Sequence, residues 1–201
     1  MRLFMLKTLF KTIYKNFDYN KFTLKRASQC ALDSKPKVEI SPSTQNIKEK
    51  LKKVWINPAY FLAFGFGSGL APFAPGTFGT LAGIPIYLLI NNVSKPTYLI
   101  TVLCLFIIGV FICSYVSKDL AVDDYKGIVF DEMVGYLCVM FLMPTSFISM
   151  LLGFILFRVF DIWKPMPIKY FDNKFKNGFG VMFDDLLAAM FAWFVMWLLQ
   201  G

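Results

Sequence analysis

The sequence predicts an all-α, membrane-associated bundle of short or kinked helices preceded by a basic amphipathic extension. Three observations lead there. Of 201 residues, 57% are hydrophobic and 18% aromatic, which strains a soluble globular reading. Apolar stretches alternate with compact polar loops, and one stretch, 97–117, runs about 20 residues without a charge, enough to span a bilayer. Charge is segregated as well: residues 1–54 hold 13 Lys/Arg against 4 Asp/Glu, whereas residues 55–201 hold 8 against 9. The chain therefore divides into an extension and linker, 1–54, and a helical membrane domain, 55–201.

In the extension, Leu3, Leu6, Phe10, Ile13 and Phe17 share one helical stripe, and Lys7, Lys11 and Lys15 another. That pattern suits a helix lying on an anionic membrane surface. It also suits an organelle presequence, which would put the protein in an organellar membrane. Residues 28–46, with Ser28, Ser34, Pro36, Ser41, Pro42 and Ser43, have linker composition. The charged stretch Asn46 to Lys53 leads a helix into the body. Further apolar segments are 78–91 with Pro85 near its middle, 133–160 broken at Pro144-Thr145-Ser146, and 186–199. Several fall short of the roughly 20 residues a spanning helix needs.

Loop charge sets an expected topology. A hairpin of 133–143 and 147–160, turning at Pro144, places the N-terminus and the loops 118–132 and 161–185 on one side. That side carries Lys118, Lys126, Arg158, Lys164, Lys169, Lys174, Lys176 and the basic tail, against Lys95 opposite. Positive loops face the cytoplasm.

Composition excludes several chemistries. The chain has no histidine, so no His base, nucleophile or metal ligand exists. Any metal is held by oxygen, which favours Mg²⁺ or Mn²⁺ over zinc. Cys30, Cys104, Cys113 and Cys138 lack CxxC spacing and read as small hydrophobes. Nucleic acid is the lesser reading of the net charge of +8, since no binding signature accompanies it.

Under the hairpin topology Asp123, Asp124, Asp131, Glu132, Asp161, Asp184 and Asp185 gather at one membrane face, with Asp119 and Asp172 as looser members. Carboxylates beside apolar segments are costly and therefore functional candidates. Asp131-Glu132 and Asp184-Asp185 each read as opening a helix. Capping would satisfy one acid per helix start; adjacent pairs at two starts favour a bound cation. Asp161 and Lys164, three apart, form either a structural ion pair or a functional pair, the acid as ligand or base and the lysine on a phosphate. Glycine-rich Gly65-Phe66-Gly67-Ser68-Gly69-Leu70, continuing through Pro75-Gly76-Thr77 and Gly79, lets backbone N–H groups approach an anion, as does Gly178-Phe179-Gly180. Close helix packing explains such glycines equally well.

Four segments, GFGSGLAPFAPGTFGTLAGIP (65–85), IVFDEMVG (128–135), FRVFDIWKPMPIKYFD (157–172) and GFGVMFDDLLA (178–188), resemble the phosphatidylglycerophosphatase A family over roughly residues 55–200. The resemblance implies a small, all-helical, Mg²⁺-dependent enzyme of the bacterial inner membrane, active on the cytoplasmic side. Its reaction would be removal of the terminal phosphate of phosphatidylglycerophosphate to leave phosphatidylglycerol. On that reading Asp131, Glu132, Asp184 and Asp185 bind metal, Asp161 orients or deprotonates water, and Lys164 offsets phosphoryl charge. Gly67, Ser68, Gly69, Thr77, Gly178 and Gly180 would contact the substrate. The competing class is a small membrane cation-binding or transport protein using the same carboxylates, whose site would sit nearer the midplane.

Overall fold

The computed structural model describes residues 47, 49–122, 125–164, 166 and 178–200. Every regular element among them is helical. The amphipathic extension, the linker, Asp123, Asp124, Asp172 and the stretch holding Pro165, Pro167, Lys169, Lys174 and Lys176 lie outside the described residues.

A 3₁₀ turn, Lys52–Trp55, leads into α1 (Pro58–Ala63), where the Asn57 side chain caps the helix by accepting from the Ala59 N–H at 2.9 Å. The glycine-rich segment follows as a 3₁₀ coil, Gly65–Leu70, with Gly65 (φ 54°), Phe66 (φ 59°) and Gly67 (φ 93°) left-handed. Helix α2 (Pro75–Ile90) starts on Pro75, where the missing N–H costs nothing, and carries Pro85 within. Helix α3 (Lys95–Leu120) is capped by Ser94 and ends on left-handed Ala121. Helix α4 (Phe130–Val139), a seven-residue turn and α5 (Phe147–Trp163) form the expected hairpin around Pro144, with Ser146 capping α5 through the Ser149 N–H at 3.1 Å. Helix α6 (Gly178–Gln200) ends the described chain.

Helix α4 is apolar nearly all round and sits at the centre, its Phe130, Met133, Val134, Tyr136, Leu137 and Val139 buried. It packs on α2, α3, α5 and α6, and α6 packs in turn on α3 and α5. Buried hydroxyls bind carbonyls across these contacts: Tyr98 donates to Leu137 at 2.8 Å and Tyr136 to Met150 at 3.3 Å. Two helices, Lys95–Leu120 and Gly178–Leu199, are long and apolar enough to cross a membrane by length and composition. Outward-facing Leu99, Leu103, Ile107 and Phe111 on α3 are exposed, as a lipid-facing surface requires.

One boundary differs from expectation. Helix α6 begins at Gly178, so Asp184 and Asp185 lie six and seven residues inside it instead of opening it. The run 178–183 is apolar apart from its glycines and continues the helix. Gly178 is tolerated because a Cβ there would collide with Ser114 of α3.

Candidate active site

Five acids converge where α4 and α6 begin and α5 ends. The chain enters α4 through Val129, whose N–H donates to the Ala63 carbonyl at 2.9 Å. This anchors the first turn of α4, which carries Asp131 and Glu132. Helix α2 reaches that turn closely because it has no side chain there. A Cβ on Gly79 would overlap Val129, and one on Gly76 would overlap the Glu132 carboxylate. The Thr80 hydroxyl lies 2.9 Å from the Gly76 carbonyl and 3.2 Å from Glu132 Oε2, its single proton shared between them.

From α5, Arg158 Nη1 donates to Glu132 Oε2 at 2.8 Å and to Asp161 Oδ2 at 2.6 Å. One guanidinium thus fixes two carboxylates on different helices. Lys164 ends α5 in the left-handed conformation (φ 41°, ψ 65°), and its ammonium pairs with Asp184 of α6. Asp161 and Lys164 therefore do not pair with each other, as their spacing had allowed. Helix α5 turns out of register at Lys164 and sends the two side chains to different partners. Asp185 completes the group, and the charges of Asp161, Asp131, Asp184 and Glu132 all reach it.

Among the described residues Arg158 and Lys164 are the cations set against these five carboxylates, and like charges gathered this closely raise one another's proton affinity. Helix α4, at ten residues, is too short to span a bilayer, and its two acids are perturbed in the corresponding sense. Burial pushes the Glu132 carboxyl up to about 7, with Arg158 opposing the rise. Burial, then the neighbouring Glu132 and Asp184, push Asp131 well above the carboxylate range. Asp131 Oδ1 and Asp185 Oδ2 are buried with no hydrogen-bond partner among the described residues. Such oxygens are costly to leave unmatched.

These oxygens make a Mg²⁺ ion a fitting guest. The donor set is all oxygen, and Mg²⁺ takes one or two carboxylates, several waters and a substrate phosphate. Among the described residues no three acids or cysteines are drawn together as a ready-made metal cage. The expected quartet is not uniform: Glu132 and Asp184 carry the ion pairs to Arg158 and Lys164, whereas among the described residues Asp131 and Asp185 carry none.

The glycine positions divide differently from expectation. Gly178 and Gly180 are not a loop; they form the first turn of α6, buried against the bundle. Gly67 lies over the Trp55 ring, and a Cβ on Gly69 would overlap the Gly127 carbonyl, so both serve backbone packing. Ser68 Oγ is buried without a partner among the described residues, and Thr77 sits half-buried in the first turn of α2. Three residues that touch the acids were not anticipated: Arg158, Thr80 and Gly76. Arg158 had a readable signal, being the only arginine after Arg26 and lying three residues before Asp161.

The family profile described as phosphatidylglycerophosphatase A matches residues 61–200. A phosphatidylglycerophosphatase A of Haemophilus influenzae is 46% identical over 154 residues, covering 75% of this chain and 94% of the relative. That of Escherichia coli K12 is 41% identical over 135 residues, covering 67% and 78%. A Bacteroides thetaiotaomicron relative that bears the provisional name of a phosphatidylinositol-3-phosphatase is 34% identical over 139 residues, covering 66% and 87%. No solved structure matches the chain. The profile spans the bundle from the second half of α1 to the end of α6, acids included, and the chain belongs to the phosphatidylglycerophosphatase A family of phosphatases.

Proposed function

We propose that this chain hydrolyses the terminal phosphomonoester of phosphatidylglycerophosphate, giving phosphatidylglycerol and inorganic phosphate, with Mg²⁺ as cofactor. The observation that carries the reading is the convergence of five carboxylates, buried oxygens of Asp131 and Asp185 among them, in a chain of this family. Asp131 and Asp185 would hold the ion most directly, with Glu132 and Asp184 behind them. Bound there, the ion supplies charge neutralisation and Lewis-acid polarisation of the phosphate.

The chain's own residues account for the rest. Asp161, oriented by Arg158, accepts a proton from the attacking water as the water oxygen bonds to phosphorus; the P–O bond to the glycerol breaks, and the departing glycerol oxygen takes a proton from solvent to leave as the alcohol. Lys164, held against Asp184, places positive charge where the phosphoryl group passes. Ser68 and Thr77 are the hydroxyls available to the glycerol and phosphate oxygens. The acids lie at one end of the bundle, and the basic residues around them favour the cytoplasmic face of a bacterial inner membrane crossed more than once. That position also argues against a transport site, which belongs near the midplane.

The test is phosphate release by the purified protein from phosphatidylglycerophosphate, phosphatidate, lysophosphatidate and phosphatidylinositol 3-phosphate, with Mg²⁺ and with chelator. Release from the first, lost with chelator and in folded Asp131→Asn, is the expected result. Full activity in that variant overturns the site assignment, and preference for another lipid overturns the substrate.

A further inference from the structure

Helix α3 carries only three charged residues, Lys95, Lys118 and Asp119, and they mark its ends. By helical rise the two lysines lie about 35 Å apart, with no charge between them. That interval matches a hydrocarbon core about 30 Å thick, so Asp119 stands at the boundary where α3 emerges. Asp119 is also the post to which the segment entering the bundle is tied. Lys53 Nζ pairs with its Oδ2 at 2.7 Å, the Tyr60 hydroxyl donates to the same oxygen at 2.6 Å, and the Lys50 ammonium donates to its carbonyl. Residues 50–60 are thereby fixed at the depth of that boundary.

The side chains turned outward here are apolar and aromatic. Trp55, Ile56 and Phe73 are 69%, 84% and 81% exposed, and Phe66 and Leu70 are exposed as well. The Trp55 ring lies over Gly67 and meets Phe61, which meets Phe66 edge-on at 5.5 Å, so these rings form one surface. Phe66 is held left-handed, a conformation unfavourable to a bulky residue, and strain kept in place points to a use. Lysine borders the surface: from Ile47 to Ile56 the chain has four lysines against one acid, Glu49, and Lys52 and Lys53 are exposed.

We propose that residues 52–73 form an interfacial anchor, its aromatic face among the headgroups of an anionic bilayer and its lysines on lipid phosphates. Depth, composition and charge together select that occupant. Aromatic rings concentrate at the level of the headgroups, and lysines at that level draw anionic lipid. The inference rests on the membrane-spanning reading of α3 and on nothing about the reaction. Its consequence nevertheless reaches the acids. Gly76, which abuts the Glu132 carboxylate, follows Phe73 by three residues, about 11 Å of chain at full stretch. An anchor that includes Phe73 therefore holds the carboxylates close to the plane in which lipid phosphates lie.

Trp55 reports the anchor directly. Parent protein and Trp55→Phe are reconstituted in phosphatidylcholine vesicles containing phosphatidylserine, with bromine on one lipid or the other, near the carbonyl or the methyl end of its chains. The difference in emission between the two proteins isolates Trp55. Stronger quenching by shallow than by deep bromine is expected, with a preference for brominated phosphatidylserine whose relative affinity drops about fivefold in Lys52→Gln. Deep quenching that equals or exceeds shallow, or no preference between the lipids, overturns the proposal. Trp163, Trp193 and Trp197 remain in Trp55→Phe: quenching there with none at Trp55 defeats the anchor alone, whereas no quenching in either protein defeats the membrane-spanning reading beneath it. A photoreactive p-benzoylphenylalanine in place of Phe73 decides the occupant. Capture of lipid is expected; capture of another segment of the chain, or of a second protein, overturns the proposal.

Discussion

Replacing Arg158 with Met tests the electrostatic design most directly. The guanidinium touches two carboxylates at 2.8 and 2.6 Å, and the three side chains are only 14%, 15% and 13% exposed. Removing one partner of a buried ion pair costs about 3–5 kcal/mol, because the other charge stays buried. The lower end applies, since Glu132 can take up a proton. For a protein of this size about 3 kcal/mol corresponds to a fall of about 6–12 °C in melting temperature.

The pH dependence has a definite sign. Burial already raises Glu132 from 4.5 to about 7 against the pull of Arg158, and the variant raises it further. Between the unfolded and folded values the native protein binds a proton that the unfolded chain has released, so stability falls as pH rises. The deficit of Arg158→Met is therefore small near pH 5 and largest near pH 8. Thermal unfolding in neutral detergent with chelator, from pH 5 to 8, measures it. Arg158→Lys retains charge without the fork geometry and should fall between parent and Met. Adding Glu132→Gln to Arg158→Met should restore about half the loss. A melting temperature within about 2 °C of the parent at pH 8, or a deficit that grows on acidification, refutes the reasoning.

Three further outcomes follow from the same geometry. Gly76→Ala drives a methyl into the Glu132 carboxylate; phosphate release should fall by about a hundredfold while the protein still unfolds cooperatively, and an active variant would show that Glu132 need not hold its place. In chelator the parent should itself lose melting temperature between pH 4.5 and 7, the window set by Glu132. Mg²⁺ at about 100 times its dissociation constant should then add about 2.7 kcal/mol, read as a rise in melting temperature at pH 7.5 that contradicts the site if absent.

The fold class was legible because α3, α5 and α6 are written as apolar runs and Pro144-Thr145-Ser146 interrupts one of them. The start of α6 was not. Its first residues, Gly-Phe-Gly-Val-Met-Phe, carry two helix-weakening glycines, and only the contact of Gly178 with Ser114 shows why they are helical. The acids were legible because charge beside apolar sequence is costly. Their partners were harder to read: Arg158 had the right spacing to Asp161, but its second contact, Glu132, lies 26 residues away on another helix. Lys164 carries the same lesson, since its left-handed cap redirects it to Asp184. Gly76 was noticed only as part of a glycine-rich run read as an approach to an anion or as close helix packing, whereas in the structure it makes room for the Glu132 carboxylate.

The parallel descent of α4 and α6 bears on how such a site is built during synthesis. Asp131, Glu132 and Asp161 sit at helix ends and Asp184 and Asp185 within about two turns of the start of α6, so no carboxylate has to cross the hydrocarbon as successive helices insert. Asp184 and Asp185 are translated after every other member of the group. Until α6 docks, Glu132 has Arg158 beside it, and both acids of α4 remain accessible to water beside an incomplete bundle. Docking of α6 then buries them together and presents their open oxygens to an ion at the same moment. Folding of the last helix and creation of metal affinity would be a single event, and a nascent chain halted before α6 should have neither.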